Sequence, residues 1–152
     1  MAERAIEHGS FTIERIYDAP PARVFDAWAR RERRLRWFPV NEAGWEFDFR
    51  AGGREFHSGR PPGETSGPVT TFDARYVDIV PNERIVFAYT LRRDGVCLSA
   101  SVVSVELAPV AGGTRLRYHE QGIFLDGNDR VEEREAGTRA LLDALARNLP
   151  RA

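Results

Sequence analysis

The side chains whose types and spacing could do chemistry are few. His57 stands two residues after Glu55 in "REFHSG", so on a strand the two share a face. On an enclosed concave face they would form an acid–base or ligand-orienting pair. Phe56 has the opposite parity and the better claim to the interior, which leaves Glu55 and His57 expected on the solvated side. In "TRLRYHEQG", Tyr118 and Glu120 share parity with Leu116 and point to the apolar side of their strand. A hydroxyl and a carboxylate there need partners, either arginines or the polar end of a ligand. His119 falls on the other face, and His8 lies near the N-terminus. Cys97, in "VCLSAS", has no base near it in sequence and reads as a small buried hydrophobe rather than a nucleophile. No G-x-S-x-G, P-loop, H-E-x-x-H or C-x-x-C motif occurs, and no His, Cys or carboxylate group has metal-ligand spacing. No cofactor or metal is expected.

Composition narrows the classes further. All 22 basic residues are arginine, which excludes chemistry that depends on a lysine amine. The formal net charge of -1 supplies no long-range field for nucleic acid or an anionic membrane. One cysteine permits no internal disulfide. The start "MAERAIEHGS" lacks a signal-peptide apolar run, and no segment reaches membrane-spanning length, so a soluble cytoplasmic protein is expected. At 152 residues, the chain suits a single domain over 1–152.

These residues must be positioned by a definite order of elements. "SFTIERIYD" alternates Phe11, Ile13 and Tyr17 against Thr12 and Glu14, a strand pattern. "APPARVFDAWAR" predicts a helix with proline in its first turn and Val24, Phe25 and Trp28 on one face. A second short helix is predicted through "RERRLRWF", stopped by Pro39. From Trp45 to Gln121 the pattern is strands and turns. "WEFDF" alternates, "EFHS" is short, and "GRPPGETSGP" is a Gly- and Pro-rich loop. Pro81-Asn82, Asp94-Gly95 and Gly112-Gly113 separate the remaining strands, and such short turns imply an antiparallel meander. "NDRVEEREAGTRALLDALARNL" predicts one long helix, with Asp129 as cap, Glu132 completing a capping box, and Leu141, Leu142, Leu145 and Leu149 as the apolar stripe. Arg139, Asp143 and Arg147 would form an exposed ion-paired row, and Gly137 interrupts the helix at a cost of about 1 kcal/mol. The meander's apolar face has one long amphipathic element to cover it, so the sheet should wrap around the final helix.

This order and its pieces, "RIYDAPPARVFDAWA", "RRLRWFP", "DFRAGGREF", "PNERIVFAYT", "VVSVELAPVAGGTRLRYHEQGI" and "AGTRALLDALARNL", resemble the START-like (SRPBCC) superfamily. The resemblance runs over about residues 10–149 and is nearest to homologues of the activator of heat-shock-protein-90 ATPase. It implies an α+β helix-grip fold. A curved antiparallel sheet of about seven strands wraps a long C-terminal helix, with two short helices after the first strand. It also implies an apolar pocket between sheet and helix that takes lipids, sterols, polyketides or similar molecules. Members often carry a tryptophan after the glycine of the last helix, where this chain has Thr138, a change expected to enlarge or polarise one end of the pocket. The eukaryotic co-chaperone has a separate N-terminal domain with no counterpart here, so chaperone activation does not transfer with the likeness.

Within that frame Phe25 and Trp28 would anchor the first helix, while Trp37 and Phe38 lie nearer the pocket mouth. Strand parity puts Trp45, Phe47, Phe49, Phe56, Phe72, Tyr76, Phe87, Tyr89 and Tyr118 on one side. The expected ligand-binding set is Trp37, Phe38, Trp45, Phe47, Phe56, Tyr76, Phe87, Tyr89, Tyr118, Glu120, Leu141 and Leu145, with residues 59–68 as a lid. Arg30, Arg31, Arg33, Arg34 and Arg36 are expected as a solvated face, or else as a basic patch for an anionic head group. The expected partner is a small hydrophobic molecule. The alternatives are a cyclase, dehydratase or hydrolase built on the polar pairs, and an interaction module docking a chaperone-like protein or a second copy.

Overall fold

A computed structural model describes residues 4–149. Strand β1 (Ile6–Tyr17) leads into helices α1 (Pro21–Ala29) and α2 (Arg31–Arg34). The short strand β2 (Glu46–Phe47) follows, then β3 (Arg54–Gly59), β4 (Thr70–Val80), β5 (Arg84–Arg93), β6 (Val96–Val110), β7 (Gly113–Leu125) and helix α3 (Val131–Arg147). The seven strands form one antiparallel sheet in the order β1-β7-β6-β5-β4-β3-β2. β1 crosses to the far edge and closes the meander against β7, pairing Ile13 with Tyr118 and Tyr17 with Thr114. The α+β helix-grip expectation is met.

The turns form where the sequence marks them. Asp94 and Gly95 both adopt positive φ, 49° and 82°, the conformation a tight primed hairpin requires. Helix α1 has Pro20 as N-cap and Pro21 at its first position, where an absent N–H costs nothing. It buries Val24, Phe25, Ala27 and Trp28. α3 turns Leu142 and Leu145 into the core, and the Tyr17 hydroxyl donates to the Leu142 carbonyl at 3.0 Å, tying β1 to the helix.

Three local expectations need correction. "WEFDF" pairs only over Glu46–Phe47, because the Arg50 N–H turns back onto the Asp48 carbonyl and ends the strand. Asp129 is not a helix cap. Arg130 holds that position, and the Asp129 carboxylate accepts from the Arg130 N–H and the Arg134 guanidinium instead. The row on α3 is not paired along itself: Arg139 bonds Glu135, while Asp143 reaches across to Arg15 on β1.

Candidate functional site

The sheet curves around α3 without meeting it everywhere. A cavity of about 410 Å3 remains between α3, the α2 end and strands β3–β5, near the lower end of the roughly 300–1,000 Å3 typical of small-molecule sites. Its apolar wall includes Trp28, Trp37, Phe38, Phe72, Phe87 and Leu141. The rings pack edge to face rather than filling the space: Phe38 meets Phe72 at 5.3 Å and Trp28 meets Trp37 at 4.7 Å between centroids. Gly59, Arg60 and Pro61 border it from the loop, and Gly137 and Thr138 from α3. A Cβ added at Gly137 would meet nothing within 4 Å, so this glycine leaves room rather than permitting a close approach. A wider recess of about 920 Å3 lies on the outer face of the sheet over Ala88, Ala100 and Gly122. It is open to solvent and floored by small side chains, so it would enclose little of any guest.

Two buried polar knots flank the cavity. In the first, Arg34 Nε donates to both oxygens of Glu55, at 3.0 and 2.8 Å. The Tyr76 hydroxyl (2.7 Å) and Trp45 Nε1 (3.0 Å) complete the carboxylate's partners. The guanidinium carbon sits 4.3 Å from the Phe38 ring centre and 5.0 Å from that of Trp37, within cation–π range. Burial opposes the Arg34 charge, and Glu55 together with the Tyr76 and Tyr118 hydroxyls more than offsets it, leaving the arginine pKa raised. His57 Nε2 accepts the Asn41 N–H at 3.0 Å, which requires that nitrogen unprotonated and the neutral ring's proton on Nδ1. Burial lowers the His57 pKa, against a smaller opposing pull from Glu55.

In the second knot, Glu120 accepts from the hydroxyls of Tyr89 (2.8 Å) and Tyr118 (2.9 Å). Arg134 on α3 donates to the Tyr89 oxygen at 2.7 Å, to Ser99 Oγ at 2.7 Å, and to the carboxylates of Glu120 and Asp129. Burial first, and the Glu120 carboxylate second, push the Tyr89 and Tyr118 hydroxyls up, so both stay neutral. For Tyr76 burial does the same, partly opposed by Arg34. Each buried carboxylate is already held by three side chains, so neither knot offers a free base. Among the described residues no three His, Cys, Asp or Glu side chains gather in a metal-holding group.

Of the expected ligand-binding residues, Trp37, Phe38, Phe87, Tyr89, Tyr118 and Leu141 line the cavity. Glu120 and Tyr76 stand behind the wall as members of the two knots. Trp45 and Phe47 stack on each other at 4.9 Å beside the cavity, and Leu145 is fully buried in the core. Phe56 is a correction: it faces outward under the Arg54 guanidinium, 4.3 Å away. Glu55 and His57 take the interior in its place, contrary to expectation. The arginine run is corrected at one position, since Arg34 is buried in the first knot while Arg30 and Arg31 remain exposed. Sequence reasoning missed Arg34 and Arg134. A signal existed for both: Arg34 precedes Trp37 and Phe38 by three and four residues, and Arg134 extends the stripe of Thr138, Leu141 and Leu145 by one helical turn.

The sequence from residue 18 to 149 matches the family of activator of Hsp90 ATPase homolog 1-like proteins. The chain belongs to that family. It is similar to protein Mll3558 of Rhizobium loti, 46% identical over 95% of this chain and 99% of the other, with a TM-score of 0.88. A protein of Rhizobium leguminosarum is 38% identical over 95% of each chain, TM-score 0.86. Protein CV1439 of Chromobacterium violaceum is 29% identical over 92% of this chain and 96% of its own, TM-score 0.75. No curated protein matches the chain. Among the described residues of this family member, no helix is long and apolar enough to cross a membrane.

Proposed function

We propose that this protein binds a small, flat apolar molecule in the cavity between the sheet and α3, with residues 59–68 acting as the lid. One observation carries the reading: an aromatic-walled space of about 410 Å3 remains open between the sheet and α3, beside the buried core. The lid reading rests on Gly59, Arg60 and Pro61 at the mouth, with residues 61–68 exposed beyond them. Binding is favoured over acid–base catalysis because Glu55 and Glu120 are occupied by protein donors. A docking role has less support: the exposed large apolar residues Ile6, Ile16, Val77, Val96 and Val102 are spread over β1, β4 and β6.

The test is native mass spectrometry of protein purified from its own host, followed by titration of a panel of aromatic and acyl compounds. A Thr138→Trp variant supplies the control, because Thr138 is buried on the cavity wall and an indole there fills the space. Binding that disappears in a folded Thr138→Trp variant fits the proposal. Binding that is unchanged in that variant moves the site elsewhere, and no binding by the wild type refutes the function.

A further inference from the structure

The polar atoms left over around the cavity are donors, and they identify what the guest must carry. Trp28 Nε1 and Arg34 Nη1 are both sealed from solvent and have no hydrogen-bond partner. Both residues line the cavity, with the Arg34 guanidinium carbon 5.5 Å from the Trp28 ring centre, but the two nitrogens lie beneath its surface, so a guest reaches them only when a side chain of the wall moves aside. His57, on the same wall, directs its acceptor nitrogen to Asn41 and keeps a donor on Nδ1. A buried unpaired donor is costly and rare, so two beside one cavity need an explanation. No acceptor among the described residues supplies it. The geometry points to an uncharged apolar guest bearing a carbonyl oxygen, such as a ketone, quinone or ester, which accepts from Trp28 Nε1 and Arg34 Nη1. This deepens the binding reading above and rests on it.

The charge balance selects a neutral acceptor over a carboxylate. The groups on and directly behind the wall are three arginines, 34, 60 and 134, against four carboxylates, 55, 120, 129 and 133. Arg34 is already neutralised by Glu55 at 2.8 Å. A carboxylate guest would add a second negative charge in a desolvated place, whereas a carbonyl supplies lone pairs without charge. The half-buried Phe38 ring stacks on the guanidinium and also lines the cavity, so it is the ring a guest turns aside to reach Nη1.

Three probes of one shape test this by calorimetry: fluorene, fluorenone and fluorene-9-carboxylate. Fluorenone is expected to bind about tenfold tighter than fluorene, the worth of a hydrogen bond from a charged donor. The carboxylate should bind no tighter than fluorene. Trp28→Phe removes an N–H that bonds nothing among the described residues, and it should shrink the fluorenone-to-fluorene ratio severalfold. The infrared carbonyl stretch of fluorenone bound to the wild type gives a readout that needs no variant, and a shift to lower frequency is expected. Equal binding of fluorene and fluorenone, an unshifted stretch, an unchanged ratio in a folded Trp28→Phe variant, or a preference for the carboxylate each overturns the inference while leaving a binding cavity in place. Failure of all three probes to bind overturns both readings.

Discussion

Replacing Arg34 by methionine tests whether the first knot holds the domain together. Methionine keeps the length and apolar contact of the arginine stem among Trp37, Phe38 and Phe47 but removes the charge. Glu55, buried in the fold, would keep its bonds from Tyr76 and Trp45 and lose the cation paired with it. Breaking a buried pair from one side costs about 3–5 kcal/mol, against a total domain stability of about 5–15 kcal/mol. The surface pair Arg30–Asp26, with an exposed arginine and a half-buried aspartate, sets the contrast: its loss should cost about 1 kcal/mol or less. Glu55→Gln alone strands the Arg34 charge and should cost a comparable amount. The double variant Arg34→Met/Glu55→Gln buries no net charge; the amide oxygen can replace the carboxylate oxygen that accepts from Trp45, and the amide NH2 then donates to the Tyr76 hydroxyl oxygen. Its loss should therefore be smaller than the sum of the single losses by at least about 2 kcal/mol. Urea denaturation with unchanged m-values measures all three. Strictly additive losses, or an Arg34→Met cost below about 1 kcal/mol, would refute the argument that this ion pair is desolvated and coupled.

Other consequences are simpler. Ser101 Oγ is buried with no partner, so Ser101→Ala should raise stability by about 1 kcal/mol, read as a higher urea midpoint. His57 titrates below its ordinary value of about 6.5 in the fold, so the unfolded chain takes up the proton first. Stability should therefore fall as pH drops from 6.5 toward the lowered folded value, by at most about 1.4 kcal/mol per pH unit, and His57→Gln should remove that component of the pH profile. Gly137→Ala adds a Cβ into open space within a helix and should stabilise by about 1 kcal/mol, seen as a rise in Tm of a few degrees.

The fold was legible because its punctuation is local. Asp94-Gly95 turns with the positive φ values its residue types favour, Asn82 does the same at φ 66°, and the leucine stripe marks the buried face of α3. The site was half legible. Parity on β5 and β7 correctly brings Phe87, Tyr89 and Tyr118 to the cavity, since each strand is long and its register regular there. β3 misleads because it is six residues long and presents Phe56 against Glu55 and His57 with no local feature to decide between the faces. The decision is non-local. Glu55 pairs across from Phe47 and Ala74, both on the inner face, and meets a guanidinium 21 residues earlier in the chain. Hydrophobicity ranks Phe56 inside, but one desolvated ion pair with two further donors on the carboxylate outweighs that preference. The same reasoning explains the misreading of Arg34, whose neighbours in the run are solvated and whose partner is not visible in the local sequence.

The two knots also account for a cavity that stays open. Apolar rings facing a void lose dispersion contacts and tend to collapse into it. Here collapse is opposed by polar groups that cannot move without losing partners. Arg134 extends from α3 to Tyr89, Ser99 and Glu120 on three different strands, so the helix is held to β5, β6 and β7 by hydrogen bonds at a fixed distance. At the other end Arg34 joins α2 to β3, while Tyr76 on β4 and Trp45 bond the same carboxylate. Moving α3 toward the sheet would compress or break the first set, and moving α2 inward would break the second. Each such loss strands a buried charge. An apolar core of the same volume would be free to settle inward, whereas these arginine–carboxylate struts hold the aromatic wall apart.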